Sequence, residues 1–311
     1  MGKRKILVSA PYILPVIEQY QTLFDENDAE FVKAVVEERL EEEDLLPIIA
    51  EFNGVVAGDD QFTRKVLEAA SNLTVLVKWG TGIDSFDTEA AEECGIKICR
   101  TVDAFTEPVS DTVLGYILCF ARNLEKMDRL MKAGVWDKIP GRGWNESTIG
   151  VIGVGATGSG VLRRARAFGA TLLGTDIRDV HPAHVKALDV SLVKLEELLE
   201  RSDFVSVNCD LNSTSHHLMS KEQFKRMKSS AYLINTARGP IVDEKALVAA
   251  LQEKEIAGAG MDVFEDEPLA KDSPLLKMDN VMIAPHNSNS SPKAWNRVHD
   301  NSLRQLFEAL K

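Results

Sequence analysis

Short runs of β-branched and other apolar residues alternate with stretches in which apolar positions recur every three to four residues, from one end of the chain to the other. This is the pattern of an α/β protein built on parallel sheets, whose buried strands read as continuous apolar runs. One series of expected strands covers Ile6–Val8, Phe31–Val36, Gly54–Ala57, Thr74–Trp79 and Ile96–Cys99. A second covers Thr148–Ile152, Leu172–Thr175, Phe204–Val207, Ala231–Ile234, Ala257–Met261 and Val281–Ile283. Between the series, Val113, Leu114, Ile117, Leu118, Leu124, Met127, Leu130 and Met131 keep helical spacing. They predict one long helix from Pro108 to Ala133, with Thr106 as its N-cap and a Pro/Gly-rich loop from Gly134 to Asn145 after it. The charged run Glu37–Asp44 reads as a solvated helix face.

Composition narrows the functional classes. The 311 residues are 44% hydrophobic and 27% charged, enough apolar matter for a large core and room for two domains. The net charge of −12 and the lack of a long Lys/Arg cluster argue against a nucleic-acid or anionic-membrane partner. Cys94, Cys99, Cys119 and Cys209 have neither CxxC nor zinc-ligand spacing, so no metal is expected and a reducing cytoplasm is the expected home. Lys3, Arg4 and Lys5 precede an apolar run that ends at Val8, too short for a signal-peptide core or a membrane span.

The strand Thr148–Ile152 runs directly into Gly153-Val-Gly155-Ala-Thr-Gly158 and then into a helical pattern that lasts to Phe168. Strand, glycines and helix in this order are the fingerprint of a dinucleotide site: a tight turn at Gly153, close approach of a pyrophosphate at Gly155, and close helix–strand packing at Gly158. Asp176, 23 residues after Gly153 and at the end of the next strand, is placed to bond the adenine ribose hydroxyls. Its charge repels a 2′-phosphate, so NAD is favoured over NADP, while Arg178 keeps the alternative open; a plain turn-capping role for Asp176 also fits the sequence.

Three further segments sit at carboxyl ends of expected strands, where open α/β sheets place ligands. They are Leu233 through Gly239 with Thr236, Ala237 and Arg238, Met261 through Pro268 with Asp262 and Glu267, and Met282 through His286. Reducing a carbonyl with a nicotinamide needs a proton donor, a group that tunes it and a cation for the substrate charge, and these segments hold one of each. Taken singly, a core histidine, a surface-turn arginine and a solvated loop acid fit equally well. Their order behind a nucleotide fingerprint favours the functional reading.

With these motifs the chain resembles the D-isomer-specific 2-hydroxyacid dehydrogenases over essentially its whole length, the further matches being Trp79-Gly-Thr-Gly-Ile-Asp84 and Glu107-Pro-Val-Ser-Asp111. The resemblance implies that His286 is the acid/base, Glu267 its hydrogen-bonded partner and Arg238 the ligand of the substrate carboxylate and carbonyl oxygen. It places Lys78, Gly80, Thr81 and Gly82 at the substrate. Gly153, Gly155, Thr157, Gly158, Asp176, Cys209, Thr236, Ala237 and Asp262 fall at the cofactor. The implied fold is two Rossmann/flavodoxin-like α/β domains with parallel sheets: a substrate domain of 1–104 completed by 289–311, and an NAD-binding domain of 105–288, with the active site in the interdomain cleft. A homodimer is implied, with the long helix and Arg122 to Gly143 in its interface. Formate dehydrogenases share this fold, but by family pattern carry glutamine where this chain has Glu267, which favours a small 2-oxo or 2-hydroxy acid substrate. The competing functional class is an NAD(H)-sensing, corepressor-like binding protein with little turnover.

Overall fold

In the computed structural model, which describes residues 2–311, the chain divides into two compact units. One runs up to Ala104 and takes back the C-terminal segment Ser290–Lys311; the other is Phe105–Asn289.

The first unit is a five-stranded, all-parallel sheet of order β2-β1-β3-β4-β5. Its strands are β1 (Arg4–Val8), β2 (Ala29–Lys33), β3 (Gly54–Ala57), β4 (Val75–Lys78) and β5 (Lys97–Arg100). β3 and β4 are buried along their whole length, which is why Val55, Val56 and Val75 to Val77 show no alternation of polar and apolar residues. Each such side chain contributes about 1.5–3 kcal/mol by leaving water. The C-terminal helix Pro292–Ala309 belongs to this unit, packing on β3, β4 and β5 through Val298, Leu303, Leu306 and Phe307, one face of a helical repeat. Its buried His299 accepts a hydrogen bond at Nδ1 from the Trp79 indole at 2.8 Å. Burial pushes the His299 pKa below the usual histidine range, so the ring is a neutral acceptor there.

The second unit is a seven-stranded parallel sheet of order β12-β11-β10-β9-β6-β7-β8. Its strands are β6 (Thr148–Ile152), β7 (Thr171–Thr175), β8 (Ser191–Leu192), β9 (Phe204–Val207), β10 (Tyr232–Asn235), β11 (Gly258–Met261) and β12 (Val281–Ile283). The strand order reverses at β6, so a crevice opens at the carboxyl ends of β6 and β9, the topological switch point of such sheets. At the opposite end of β6, Asp203 accepts from the Thr148 N–H at 2.9 Å and pairs with Lys228 and Arg142. Burial works to raise its pKa, but those donors outweigh it and hold the carboxyl below the usual range.

Four expectations need correction. The long helix is two helices, Thr106–Arg122 and Leu124–Lys132, broken where Asn123 turns left-handed at φ +53°. Thr106 is the first helical residue rather than the N-cap; Phe105 holds that position, and the Thr106 hydroxyl is buried without a hydrogen-bond partner among the described residues. The acidic run is mostly loop, with helix only at Glu42–Leu45, because Leu40 turns into the core and interrupts the solvated face. The strand expected at Phe31–Val36 lies two to three residues earlier, where Arg4 to Val8 pair in register with Ala29 to Lys33. Among the described residues no helix is long and apolar enough to cross a membrane.

Candidate functional site

The glycine turn after β6 has the shape its sequence requires. Gly153 lies at φ +90°, and a Cβ there would sit 2.7 Å from the Cys209 backbone nitrogen, so both conformation and space demand glycine. The helix Ala156–Ala167 starts at once, directing its unpaired N–H groups out of its first turn, with Thr157 in that turn and Gly158 buried against β6. Over Gly155, a Cβ would meet nothing closer than the tip of Arg178 at 3.4 Å, leaving room for a ligand's phosphates. A dinucleotide fits this cradle. Cys209 lines the same crevice; burial pushes its thiol up to about 11, so it is a neutral packing group rather than a nucleophile. Two buried polar atoms at neighbouring strand ends, Thr236 Oγ1 and Asn208 Oδ1, have no hydrogen-bond partner among the described residues and suit a polar ligand.

Asp176 closes the turn. One carboxylate oxygen accepts from the Val154 N–H at 2.8 Å, and the other from the Arg178 N–H at 2.9 Å and its Nε at 3.3 Å. Burial alone would raise its pKa, but the Arg178 and Val154 donors prevail and lower it, so the group is charged at neutral pH. The carboxylate thus braces the glycine turn from within the chain, a part in addition to the ribose contact expected from sequence.

The candidate catalytic residues emerge from three adjacent strands. At the end of β10 the buried Asn235 donates from Nδ2 to the Arg238 carbonyl at 2.9 Å and accepts at Oδ1 from the Ala237 N–H at 3.1 Å, shaping the turn that presents Arg238. Next to Arg238, a Cβ on Gly239 would lie 1.7 Å from the Phe264 carbonyl oxygen, so this turn and the one after β11 touch backbone to backbone. At the end of β11, Asp262 is fully buried and its carboxylate accepts from the Asn287 and Ser288 N–H groups at 2.8 and 2.9 Å. Its carbonyl accepts from the His286 N–H at 2.7 Å. Asp262 therefore ties the loop after β12 to the end of β11. His286 is held at φ +49°, a conformation costing about 1–3 kcal/mol that tertiary contacts must enforce.

Glu267 and His286 meet directly. Glu267 Oε1 accepts from the Phe264 N–H at 2.9 Å, fixing the carboxylate, while Oε2 lies 2.9 Å from His286 Nδ1. Both side chains are about 30% exposed or less, so the pair is reachable yet partly desolvated. An ionised carboxylate can only accept, so Nδ1 carries hydrogen and proton exchange falls to Nε2. The arrangement can hold a proton and deliver it in a fixed direction.

Lys78, Gly80, Thr81 and Gly82 lie in the first unit, at and after the end of β4. Gly80 is at φ +130°, its carbonyl accepts from the Thr101 N–H at 2.8 Å, and the Thr81 hydroxyl donates to the Thr101 carbonyl at 2.8 Å. Lys78 is 3% exposed, and its ammonium meets the Gly58 carbonyl at 2.5 Å and the Asp59 carboxylate at 2.6 Å. Its charge is thus paired within the unit. Asn235 escaped sequence reasoning, although a polar residue closing an otherwise buried strand was the available signal.

The model of the D-isomer specific 2-hydroxyacid dehydrogenase NAD-binding domain matches residues 114–288. The chain is 37% identical to a glyoxylate reductase of Thermofilum pendens over 81% of this chain and 76% of that protein. It is 36% identical to glyoxylate/hydroxypyruvate reductase B of Klebsiella pneumoniae over 84% of this chain and 82% of that one. Among solved structures it resembles an Aquifex aeolicus D-lactate dehydrogenase complexed with NAD and lactic acid, with a TM-score of 0.88 and 26% identity, covering 97% of this chain and 94% of the other.

Proposed function

The chain belongs to the D-isomer specific 2-hydroxyacid dehydrogenases, and from that membership we propose that it reduces a small 2-oxo acid with NADH, using His286, Glu267 and Arg238. The observation that carries these roles is the oriented His286–Glu267 pair, which stands at the strand ends beside the Arg238 turn.

Bound NADH supplies the hydride that reaches C2 of the oxo acid. Arg238 holds the substrate carboxylate with its planar fork and polarises the C2 oxygen. His286 gives its Nε2 proton to that oxygen as negative charge develops there, and Glu267 stabilises the imidazolium beforehand. In the reverse direction the neutral ring takes the hydroxyl proton. Lys78 and the Gly80–Gly82 turn are the remaining substrate-binding elements of this reading: Lys78 fixes the loop, while the Thr81 and Gly82 backbone N–H groups receive the carboxylate. Thr236, Ala237 and Asp262 stand on the cofactor side. The test is NADH consumption with glyoxylate, pyruvate, hydroxypyruvate, 2-oxoglutarate and phosphohydroxypyruvate. Fast turnover with one or more supports the proposal; tight NADH binding without any turnover would favour a sensing role instead.

The cofactor is NAD(H) rather than NADP(H). Asp176 keeps a buried negative charge where a 2′-phosphate would sit, and Arg178 is engaged with it. Asp176→Ser should lower kcat/KM with NADH about ten-fold and narrow the preference over NADPH by a larger factor, as expected from losing one charged hydrogen bond and one like-charge repulsion. Equal use of both cofactors by the unaltered protein would refute this assignment.

The working form is a homodimer. The helix Leu124–Lys132 buries none of its residues, and Leu124, Met131 and Trp136 are exposed, Trp136 by 81%. Such an apolar surface needs cover. Sedimentation should give twice the 34.3 kDa chain mass, and a monomer at micromolar concentration would overturn the assignment.

A further inference from the structure

The loop between β9 and the helix Lys221–Arg226 carries His217, which lies outside every sequence motif above. Its backbone is left-handed at φ +51°, an uncommon state for a residue with a Cβ. Two contacts accompany that conformation. The His217 N–H donates to the Pro240 carbonyl at 2.8 Å, two residues past Arg238. Its Nε2 bonds to Glu265 Oε1, two residues before Glu267. One residue therefore joins the turn that presents Arg238 to the turn that presents Glu267. The same two turns touch where Gly239 meets Phe264. Backbone pairing continues the seam, from the Met219 N–H to the Ile241 carbonyl at 3.0 Å and from the Asp243 N–H to the Met219 carbonyl at 2.9 Å.

The surroundings give the imidazole a further task. The turn after β11 holds Glu265, Asp266 and Glu267 in sequence, and Glu244 reaches it from the neighbouring helix, its Oε2 accepting from the Glu265 N–H at 3.4 Å. Burial raises the Glu244 pKa, with Glu265 and Asp266 adding to the rise, so this turn is crowded with acids. His217 meets that crowd with a donor. The His216 ring stacks on it at 4.1 Å, and Asp243 faces it from the start of the helix Glu244–Gln252.

We propose that His217 is a positioning residue, which sets the spacing of Arg238 and the Glu267–His286 pair by clamping Glu265 to the Arg238 turn. The inference rests on the roles proposed above for those three residues. A displacement of about 1 Å at reacting groups can cost as much as 10²-fold in rate, so a partial loosening should be visible in turnover.

The test compares His217→Asn with His217→Gln. Asparagine tolerates the left-handed backbone but is too short to reach Glu265, whereas the glutamine amide nitrogen falls near the place of Nε2. His217→Asn should lower kcat for oxo-acid reduction about ten-fold and leave KM for NADH within about two-fold, and His217→Gln should restore most of the loss. A second readout needs no turnover: the His286 imidazole titration, followed by NMR, should move to lower pH in His217→Asn as Glu267 shifts away, and return in His217→Gln. An unchanged titration and kcat with only a lower Tm would reduce His217 to a structural residue and overturn the proposal. So would a glutamine variant no better than asparagine. Full activity in His286→Asn would instead contradict the underlying catalytic reading.

Discussion

Replacing His286 with asparagine is expected to lower kcat for 2-oxo acid reduction by about 10²–10⁴-fold, the usual worth of a positioned general acid, while NADH still binds. Nδ1 is committed to Glu267 at 2.9 Å, the carboxylate is fixed by the Phe264 N–H, and the His286 N–H is fixed by Asp262, so the ring has one direction in which to exchange a proton. Asparagine can occupy the left-handed backbone position but cannot carry the proton. The pH dependence follows with its sign. In the role proposed for His286, reduction needs the protonated ring, so its rate is expected to fall as pH rises through the His286 ionisation; oxidation needs the neutral ring and is expected to rise over the same interval. Stopped-flow rates in both directions check this, and parallel profiles for the two directions would remove His286 from the role.

Arg238→Gln should reduce kcat/KM for the oxo acid by about 10³-fold, near 4 kcal/mol, chiefly through KM, because the role proposed for Arg238 gives it two charge-assisted hydrogen bonds to the carboxylate that would be lost together. Arg238→Lys should recover only part of this, since an ammonium keeps the charge without the fork. Asn235 and Gly239 hold the turn independently of the arginine side chain, so NADH affinity and Tm should stay near their original values. Steady-state kinetics with a single oxo acid decide the matter: a KM within two-fold of the unaltered enzyme in Arg238→Gln would show that the carboxylate is bound elsewhere.

The sheets were legible because buried parallel strands are written as unbroken apolar runs. β8, two exposed residues at the sheet edge, carried no such signal and was missed. Periodicity also failed at Asn123. Apolar spacing reports which side of a helix faces the core, and a single left-handed residue can break the helix while Leu124, Met127 and Met131 continue the repeat on an exposed segment. The candidate site divides in the same way. Residues at strand ends, such as Arg238 and His286, lie in short motifs whose residue types suggest the chemistry proposed for them. The supports of those residues do not: His217 and Glu265 are 48 positions apart, and only the folded sheet brings them together. The surroundings of Lys78 are a further case: the cation is plain in the sequence, but its pairing with Asp59, 19 positions away, exists only in the folded unit.

Hydride transfer to C2 of a 2-oxo acid is tested directly with NADH deuterated at the transferred position, the product being examined by NMR and chiral chromatography. A D-2-hydroxy acid with deuterium on C2 is the expected product of that transfer. A product of L configuration, a product without deuterium at C2, or no reduction of any oxo acid tried would contradict it.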